Sequence, residues 1–409
     1  MTSARLAVLI FGFIIILHGQ DPARTRAETI EADRRAKAAA AIEPSGSPFM
    51  NLAEKFVTRG FRIWNDLQAG THGLSANIGG LSVGSQVAIG PEYIFRDGDY
   101  YQPRLIWHTY VVAAGDLSFR MQTGLELPRI NHERNFFTIN AYRYEYTQLQ
   151  YFGPGNTSTF EGRSDYRQRE SAFEFKGGFI IHRKFRAGLL GNYRDISIGP
   201  GSAPGIPTTE SMYSNLDIPG LAKPSTFLTG GAFAEYEGRD LPADPHSGGY
   251  LSVRFQNVNG SRKSLGGFDQ YDFDGQYYLP FWNRTRVVAL RVRSSLTTPH
   301  AGSFVPFYLQ PHLGGSDDLR GFDTYRFRDE DDIVASAEYR WTVIPLVDMV
   351  LFADAGKVYH NSDSLNLKNV MSDAGVGVRA RTASTVPFRF DVGISREGVH
   401  LWLTLVNLF

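Results

Sequence analysis

From about residue 70 onward, apolar and polar side chains alternate residue by residue in runs of roughly ten, separated by turn-forming stretches. In 251–256, Leu251, Val253 and Phe255 share one face while Ser252, Arg254 and Gln256 share the other. In 286–295, Val288, Leu290 and Val292 oppose Ala289, Arg291 and Arg293. In 116–127, Leu117, Phe119, Met121 and Leu125 oppose Ser118, Arg120 and Gln122. After Gln270, Tyr271, Phe273, Tyr277 and Leu279 oppose Asp272, Asp274 and Gln276. A period of two is that of a β-strand, whose successive side chains point to opposite faces. A soluble β-sandwich alternates in the same way. Here, however, arginines and carboxylates recur on the non-apolar face in strand after strand, as around a wet lumen. The connections also alternate short and long, as the two rims of a membrane barrel do.

The pattern predicts about sixteen strands, at 70–79, 81–96, 103–114, 116–129, 135–149, 169–182, 183–196, 226–238, 247–259, 266–279, 284–298, 331–343, 346–358, 371–382, 386–396 and 398–409. The fold class is therefore all-β, a transmembrane antiparallel β-barrel with a short helical or linker segment before it. An even count suits a single-chain barrel. The long connections 150–168, 197–225, 299–330 and 359–370 then share one rim. If Phe409 lies at the periplasmic rim, that side is extracellular.

The only long apolar stretch, Leu6 to Leu17, is short of the roughly 20 residues of a helical span. Arg5 precedes it and a short polar stretch follows, which predicts a signal peptide cleaved near Gly19 or Gln20; an uncleaved inner-membrane anchor is the rival reading. Residues 21–48 are polar and end in Pro44-Ser45-Gly46-Ser47-Pro48, as a linker or exposed helix would, and 49–69 suits one short amphipathic helix. The expected organisation is a signal peptide at 1–20, a periplasmic linker and short helix at 21–69, and an outer-membrane barrel at 70–409.

Composition narrows the function. Lys+Arg and Asp+Glu balance at 42 each, which gives no basic surplus for nucleic acid. With no cysteine there is no disulfide, thiolate metal site or cysteine nucleophile. The mean hydropathy of −0.24 argues against a helical membrane protein, and 29 Phe, 20 Tyr and 42 Gly suit strands, membrane interfaces and tight turns. His132-Glu133 is followed by Arg134, Asn135 and Phe136, not by the spacing of a zinc protease, and no Gly-x-Ser-x-Gly elbow is evident. No catalytic residue, metal or cofactor is predicted, and the protein is expected not to be an enzyme.

The segment Leu313-Gly314-Gly315-Ser316-Asp317-Asp318-Leu319-Arg320-Gly321-Phe322, followed by Tyr325-Arg326-Phe327-Arg328-Asp329, resembles the long loop of the BamA/TamA superfamily, the bacterial surface antigen family. The family's core motif, an aliphatic residue and then Arg-Gly-Phe or Arg-Gly-Tyr, is matched by Leu319, Arg320, Gly321 and Phe322, with five strands left to the terminus. Phe352-Ala353-Asp354-Ala355-Gly356 matches the family's Phe-x-Asp-x-Gly strand motif. Ser336-Ala337-Glu338 matches its Ser-x-Glu pattern on the strand before. The stretch Glu237-Gly238-Arg239-Asp240 to Tyr250 is similar to the family's periplasmic turn. The last strand, with Val399, Leu401, Leu403, Leu405 and Phe409 on one face, resembles the family's C-terminal assembly signal, although Asn407 departs from it.

The resemblance implies that the loop folds back into the lumen and that Arg320 pairs with inward carboxylates. Strand parity puts Glu338 and Asp354 on the lumen face, with Phe352 and Gly356 beside Asp354. Gly321 is expected to permit a backbone turn and Phe322 to anchor the loop on the wall. The bland alternative is an exposed Arg320 and ordinary lumenal polar residues. Family members usually carry periplasmic polypeptide-transport domains before the barrel, and the roughly fifty residues here are too few for one. A barrel-only member is the expectation. By resemblance the function is insertion or translocation of outer-membrane proteins or lipids through a weak seam between the first strand, which holds Gly70, Gly73 and Gly79, and the last. The expected partners are outer-membrane lipid, unfolded outer-membrane proteins and a separate periplasmic subunit. A passive channel or structural surface protein, with Arg120, Arg254, Arg291 and Arg293 lining a loop-plugged lumen, is the second reading.

Overall fold

The structure, a computed structural model, describes residues 73–405 apart from 82–86, 100–101, 215–217, 222–223, 262–265, 283–284, 345, 362–363, 382–385 and 387. The expected signal peptide, the 21–69 segment and Phe409 lie outside the described residues.

Sixteen antiparallel strands pair in chain order into one sheet. They are β1 (Leu74–Gly80), β2 (Val87–Asp99), β3 (Gln102–Ala113), β4 (Phe119–Ile130), β5 (Asn135–Tyr151), β6 (Ser164–His182), β7 (Phe185–Pro200), β8 (Ser225–Glu237), β9 (Gly248–Gly260), β10 (Gly267–Phe281) and β11 (Arg286–Pro299), and then β14 (Asp331–Ile344), β15 (Val347–Tyr359), β16 (Met371–Ala380), β17 (Phe388–Ser395) and β18 (Gly398–Leu405). A separate two-stranded ladder, β12 (His312–Leu313) with β13 (Phe327–Arg328), lies in the connection between β11 and β14. No ladder joins β1 to β18 among the described residues.

A strand of 13 residues, such as β15, rises about 43 Å along its axis and about 33 Å across the membrane at a tilt near 40°. The outer wall carries the apolar half of the alternation. Phe173, Leu189, Leu228, Leu351, Val399 and Leu401 are all exposed there, as lipid-facing residues of a barrel must be. At the rim of the long connections, Tyr151, Tyr166, Ile196, Phe227, Val305 and Phe307 form a buried cluster that roofs the lumen. The Phe307 ring meets Tyr151 and Tyr166 edge-on, with centroids at 5.2 and 5.0 Å. At the opposite rim, Asp240 Oδ1 accepts hydrogen bonds from the main-chain N–H groups of Leu241, His246 and Ser247 at 2.9–3.0 Å.

The sixteen strands and their order agree with the alternation, but several ends differ. β4 starts at Phe119, because Leu117 has φ +67° and sits in an exposed turn, where Ser118 N–H is held by Asp116 Oδ1 at 2.9 Å. β6 starts at Ser164 rather than 169, and β5 and β7 run on to Tyr151 and Pro200. These polar extensions pair with one another above the apolar belt, where side chains need not be lipophilic. The 300–330 connection is more ordered than a bare loop because of the β12–β13 ladder.

Candidate functional site: a loop pinned inside the lumen

The connection from β11 to β14 turns into the barrel. It leaves β12 through Gly314 and Gly315, at φ +112° and +111°, values that an L side chain tolerates poorly. Arg293 on β11 holds Asp318 at 2.7 Å. Burial lifts the Asp318 carboxyl to about 6, with the Arg293 charge working against that rise.

Arg320 is 3% exposed and lies at the centre. Its Nε and Nη2 donate to Asp354 Oδ2 and Oδ1, both at 2.8 Å, in a two-pronged grip on one carboxylate. Its Nη1 donates to Glu338 Oε1. The guanidinium plane lies over the Phe352 ring, 3.5 Å from the centroid. A fork on a carboxylate combined with a face on an aromatic ring is a geometry that lysine cannot reproduce. Leu319 and Phe322 on either side of the motif are fully buried with Leu313, Phe327, Val334, Val358 and Met371. The rings of Phe322 and Phe327 meet edge-on at 5.1 Å. At Gly356 a Cβ would stand 2.9 Å from Leu313 Cδ1, so the loop rests directly on this strand.

Gly321 lies in the expected turn, where Phe322 N–H donates to the Leu319 carbonyl at 3.1 Å. Its φ lies outside the left-handed region, and its need is close approach. A Cβ there would stand 2.5 Å from Asp373 Cβ and 2.9 Å from Ser395 Cβ. On the wall beneath, a Cβ on Gly393 would meet the Arg320 carbonyl oxygen at 2.2 Å.

Several participants escaped the sequence reading. Glu338 also accepts from Arg340 Nε at 2.8 Å and faces Arg379 at 3.6 Å. Asp391 accepts from Arg379 at 2.6 Å and from Arg389 at 2.5 Å, and Arg389 Nη2 donates onward to the Ser316 carbonyl at 2.8 Å. Trp402 Nε1 donates to the Arg320 carbonyl at 2.7 Å, and Ser395 Oγ donates to the Gly321 carbonyl at 2.5 Å. Arg326 grips Glu397 at 2.8 and 2.9 Å and donates to Ser158 Oγ and its carbonyl at 2.8 Å. His400 Nε2 lies 3.2 Å from Asp323 Oδ1. The loop is thus tied to β14, β15, β17 and β18. The inward parity of Asp373, Arg379, Arg389, Asp391 and Trp402 was the signal available in the sequence.

Leu401 and Leu403 face outward and are exposed, while Leu405 pairs in register with Phe388. Away from the loop the lumen holds space. One cavity of about 510 Å³ is lined by residues of β1–β5, including Glu92, Arg96, His108 and Arg120. Another of about 600 Å³ is lined by Arg254, Asp272, Asp274, Arg293 and others. Arg291 pairs with Asp274 at 2.8 Å. Asp244, His246 and Asp348 bring donor atoms within 4.8 Å of one another. Arg381 stands among them, 3.2 Å from His246 Nε2 and 3.5 Å from Asp348, so a guanidinium supplies the counter-charge. This constellation of charges and carbonyls grips backbone and carboxylate.

Residues 112–399 match the model of the Omp85 superfamily domain. Among solved structures, BamA from Haemophilus ducreyi lacking POTRA domains 1-3 aligns with a TM-score of 0.59 at 15% identity, covering 81% of this chain and 69% of that one. CdiB from Escherichia coli aligns with a TM-score of 0.53 at 12% identity, covering 81% of this chain and 61% of its own, so this chain spans less than two thirds of that relative. No individually curated protein matches by sequence. The chain is an outer-membrane β-barrel that belongs to the Omp85 superfamily.

Proposed function

We propose that this barrel is a non-enzymatic insertase or translocase that passes outer-membrane proteins or lipids through the seam between β1 and β18. One observation carries the reading. β1 and β18, of seven and eight residues, meet without a ladder among the described residues, while the motif loop clamps the wall next to that seam. An unladdered edge in lipid leaves N–H and C=O groups in need of partners, which a passing strand supplies. Arg320, Glu338, Asp354, Phe352 and Gly356 hold the loop; Leu401, Leu403, Leu405 and Phe409 serve as the terminal assembly signal. Residues 1–20 direct export, 21–69 form the periplasmic segment, and a separate subunit docks on its helix-prone stretch 26–69, with the long-connection rim outside the cell. Because the chain has no cysteine, one cysteine on β1 and one on β18 make a clean disulfide lock. Loss of outer-membrane protein assembly in the oxidised cell, restored by reductant, is the expected result; an oxidised lock that leaves assembly and growth intact sinks the proposal.

The second reading is a passive channel with a loop-plugged lumen, favoured by the two polar cavities. Both charge signs line them, so weak ion selectivity is expected. Steady single-channel current in planar bilayers that rises when the loop is released would favour this reading.

A further inference from the structure

On the outer wall at the short-turn rim, the β10–β11 hairpin presents a compact aromatic and cationic group that takes no part in the lumenal network. Trp282 sits in the turn at φ +48°, a left-handed conformation that is strained for a bulky residue. The turn fixes it there: Thr285 N–H and Oγ1 both donate to the Trp282 carbonyl, at 3.1 and 2.6 Å. Trp282 is 74% exposed, and the Arg286 guanidinium stands 5.5 Å from its ring centroid. Register places Phe281 opposite Arg286, Arg286 opposite Trp341 and Val288 opposite Tyr339, so these side chains share the outer face. The Phe281 and Tyr339 rings lie 5.9 Å apart, and those of Tyr339 and Trp341 5.5 Å apart.

Arg286 is exposed on the face that meets lipid. Among the described residues it donates one hydrogen bond, to the Tyr339 hydroxyl, and meets no carboxylate. Among the described residues that bond engages one of its five N–H donors. Clustered aromatics place this patch at headgroup depth, and the anion found at that depth is the phosphate of a phospholipid. A guanidinium fork matches phosphate oxygens in a two-pronged contact. An ordinary aromatic girdle requires neither an exposed arginine that meets no carboxylate among the described residues nor a strained turn that holds an indole beside it.

We propose that Arg286, Trp282 and Tyr339 form a binding site for the phosphate group of a phospholipid in the leaflet at the short-turn rim, with an acyl chain lying over the exposed Leu279 and Leu290. The test is native mass spectrometry of the full chain in detergent, titrated with phosphatidylglycerol, with a diacylglycerol of the same chains, and with inorganic phosphate. Gel mobility before and after heating confirms that each variant is folded. Wild type should retain one phosphatidylglycerol, Arg286→Gln should weaken it roughly tenfold, and Tyr339→Phe should weaken it less while keeping the ring. Arg183→Gln, an exposed charge in another turn of the same rim, should leave binding unchanged. Equal retention by Arg286→Gln, or by Tyr339→Phe and Trp282→Leu together should Arg286→Gln fail to fold, would show a girdle without a site. Equal loss in Arg183→Gln would show general charge attraction, and equal binding of diacylglycerol or of free phosphate would show that the headgroup is not what is recognised. Each of those results overturns the proposal.

Discussion

The Trp402 indole donates to the main-chain carbonyl of Arg320 at 2.7 Å, while the Arg320 side chain grips Asp354. One loop residue thus joins the terminal strand β18 to β15 through the lumen. Trp402→Phe keeps an aromatic side chain but trims the indole to a phenyl and removes its N–H, leaving a buried carbonyl without its donor. The expected cost is about 1–3 kcal/mol of loop docking, read as faster protease cleavage within 300–330 at unchanged heat-modifiable mobility.

Arg320→Lys is expected to behave nearly as badly as Arg320→Ala. Either change leaves Asp354 and Glu338 buried without their fork, a loss of about 3–5 kcal/mol. Urea midpoints for the two variants, set beside Asp354→Asn and the double variant, check this. The double variant should be less damaged than the sum of the singles.

Gly393→Ala tests the close approach from the wall side. The added methyl would stand 2.2 Å from the Arg320 carbonyl, so the loop must lift although no charge is lost. Protease sensitivity in the loop like that of Arg320→Ala is expected, with the barrel intact. Unaltered protection would mean that the loop has slack the geometry does not show.

Loop docking should respond to pH through His312, which stacks edge-on against Tyr325 at 4.4 Å. Desolvation, with the Arg328 and Arg293 charges nearby, holds its imidazole well below the usual value. A released loop takes up a proton below about pH 6.5 and a docked one does not, so docking weakens as pH falls, by up to about 1.4 kcal/mol one unit below. Asp318 acts oppositely: its carboxyl, raised to about 6 in the docked loop, is costly once ionised, so its share weakens docking as pH rises from about 4 through 6. The difference between wild type and His312→Gln in loop protection from pH 7.5 to 5.5 isolates the histidine. The variant should lose the acid-side weakening.

The barrel was legible because the alternation that lipid and lumen impose is local: Leu251, Val253 and Phe255 against Ser252, Arg254 and Gln256 need no distant partner to be read. Pairing of Arg320 with Glu338 and Asp354 was accessible through strand parity together with a family resemblance. The links through Trp402, Glu397 and Ser395 were not, because inward parity alone does not say which loop group a side chain meets until the loop backbone is placed beneath it. Gly321 was legible only as a turn residue, for a similar reason. Its turn could be read locally, but its close approach could not, because only Asp373 and Ser395 pressing on it reveal that need. The ends of β5, β6 and β7 were cut short because apolar alternation fades where strands leave the bilayer, while backbone pairing continues.

The most direct test of the insertase reading is to follow the folding of an urea-unfolded outer-membrane barrel into liposomes, by gel mobility, with and without this protein, comparing wild type and folded Arg320→Ala. Faster folding with wild type, lost in the variant, is the predicted result. No acceleration by wild type would contradict the reading and leave a barrel that serves as a channel or a surface protein.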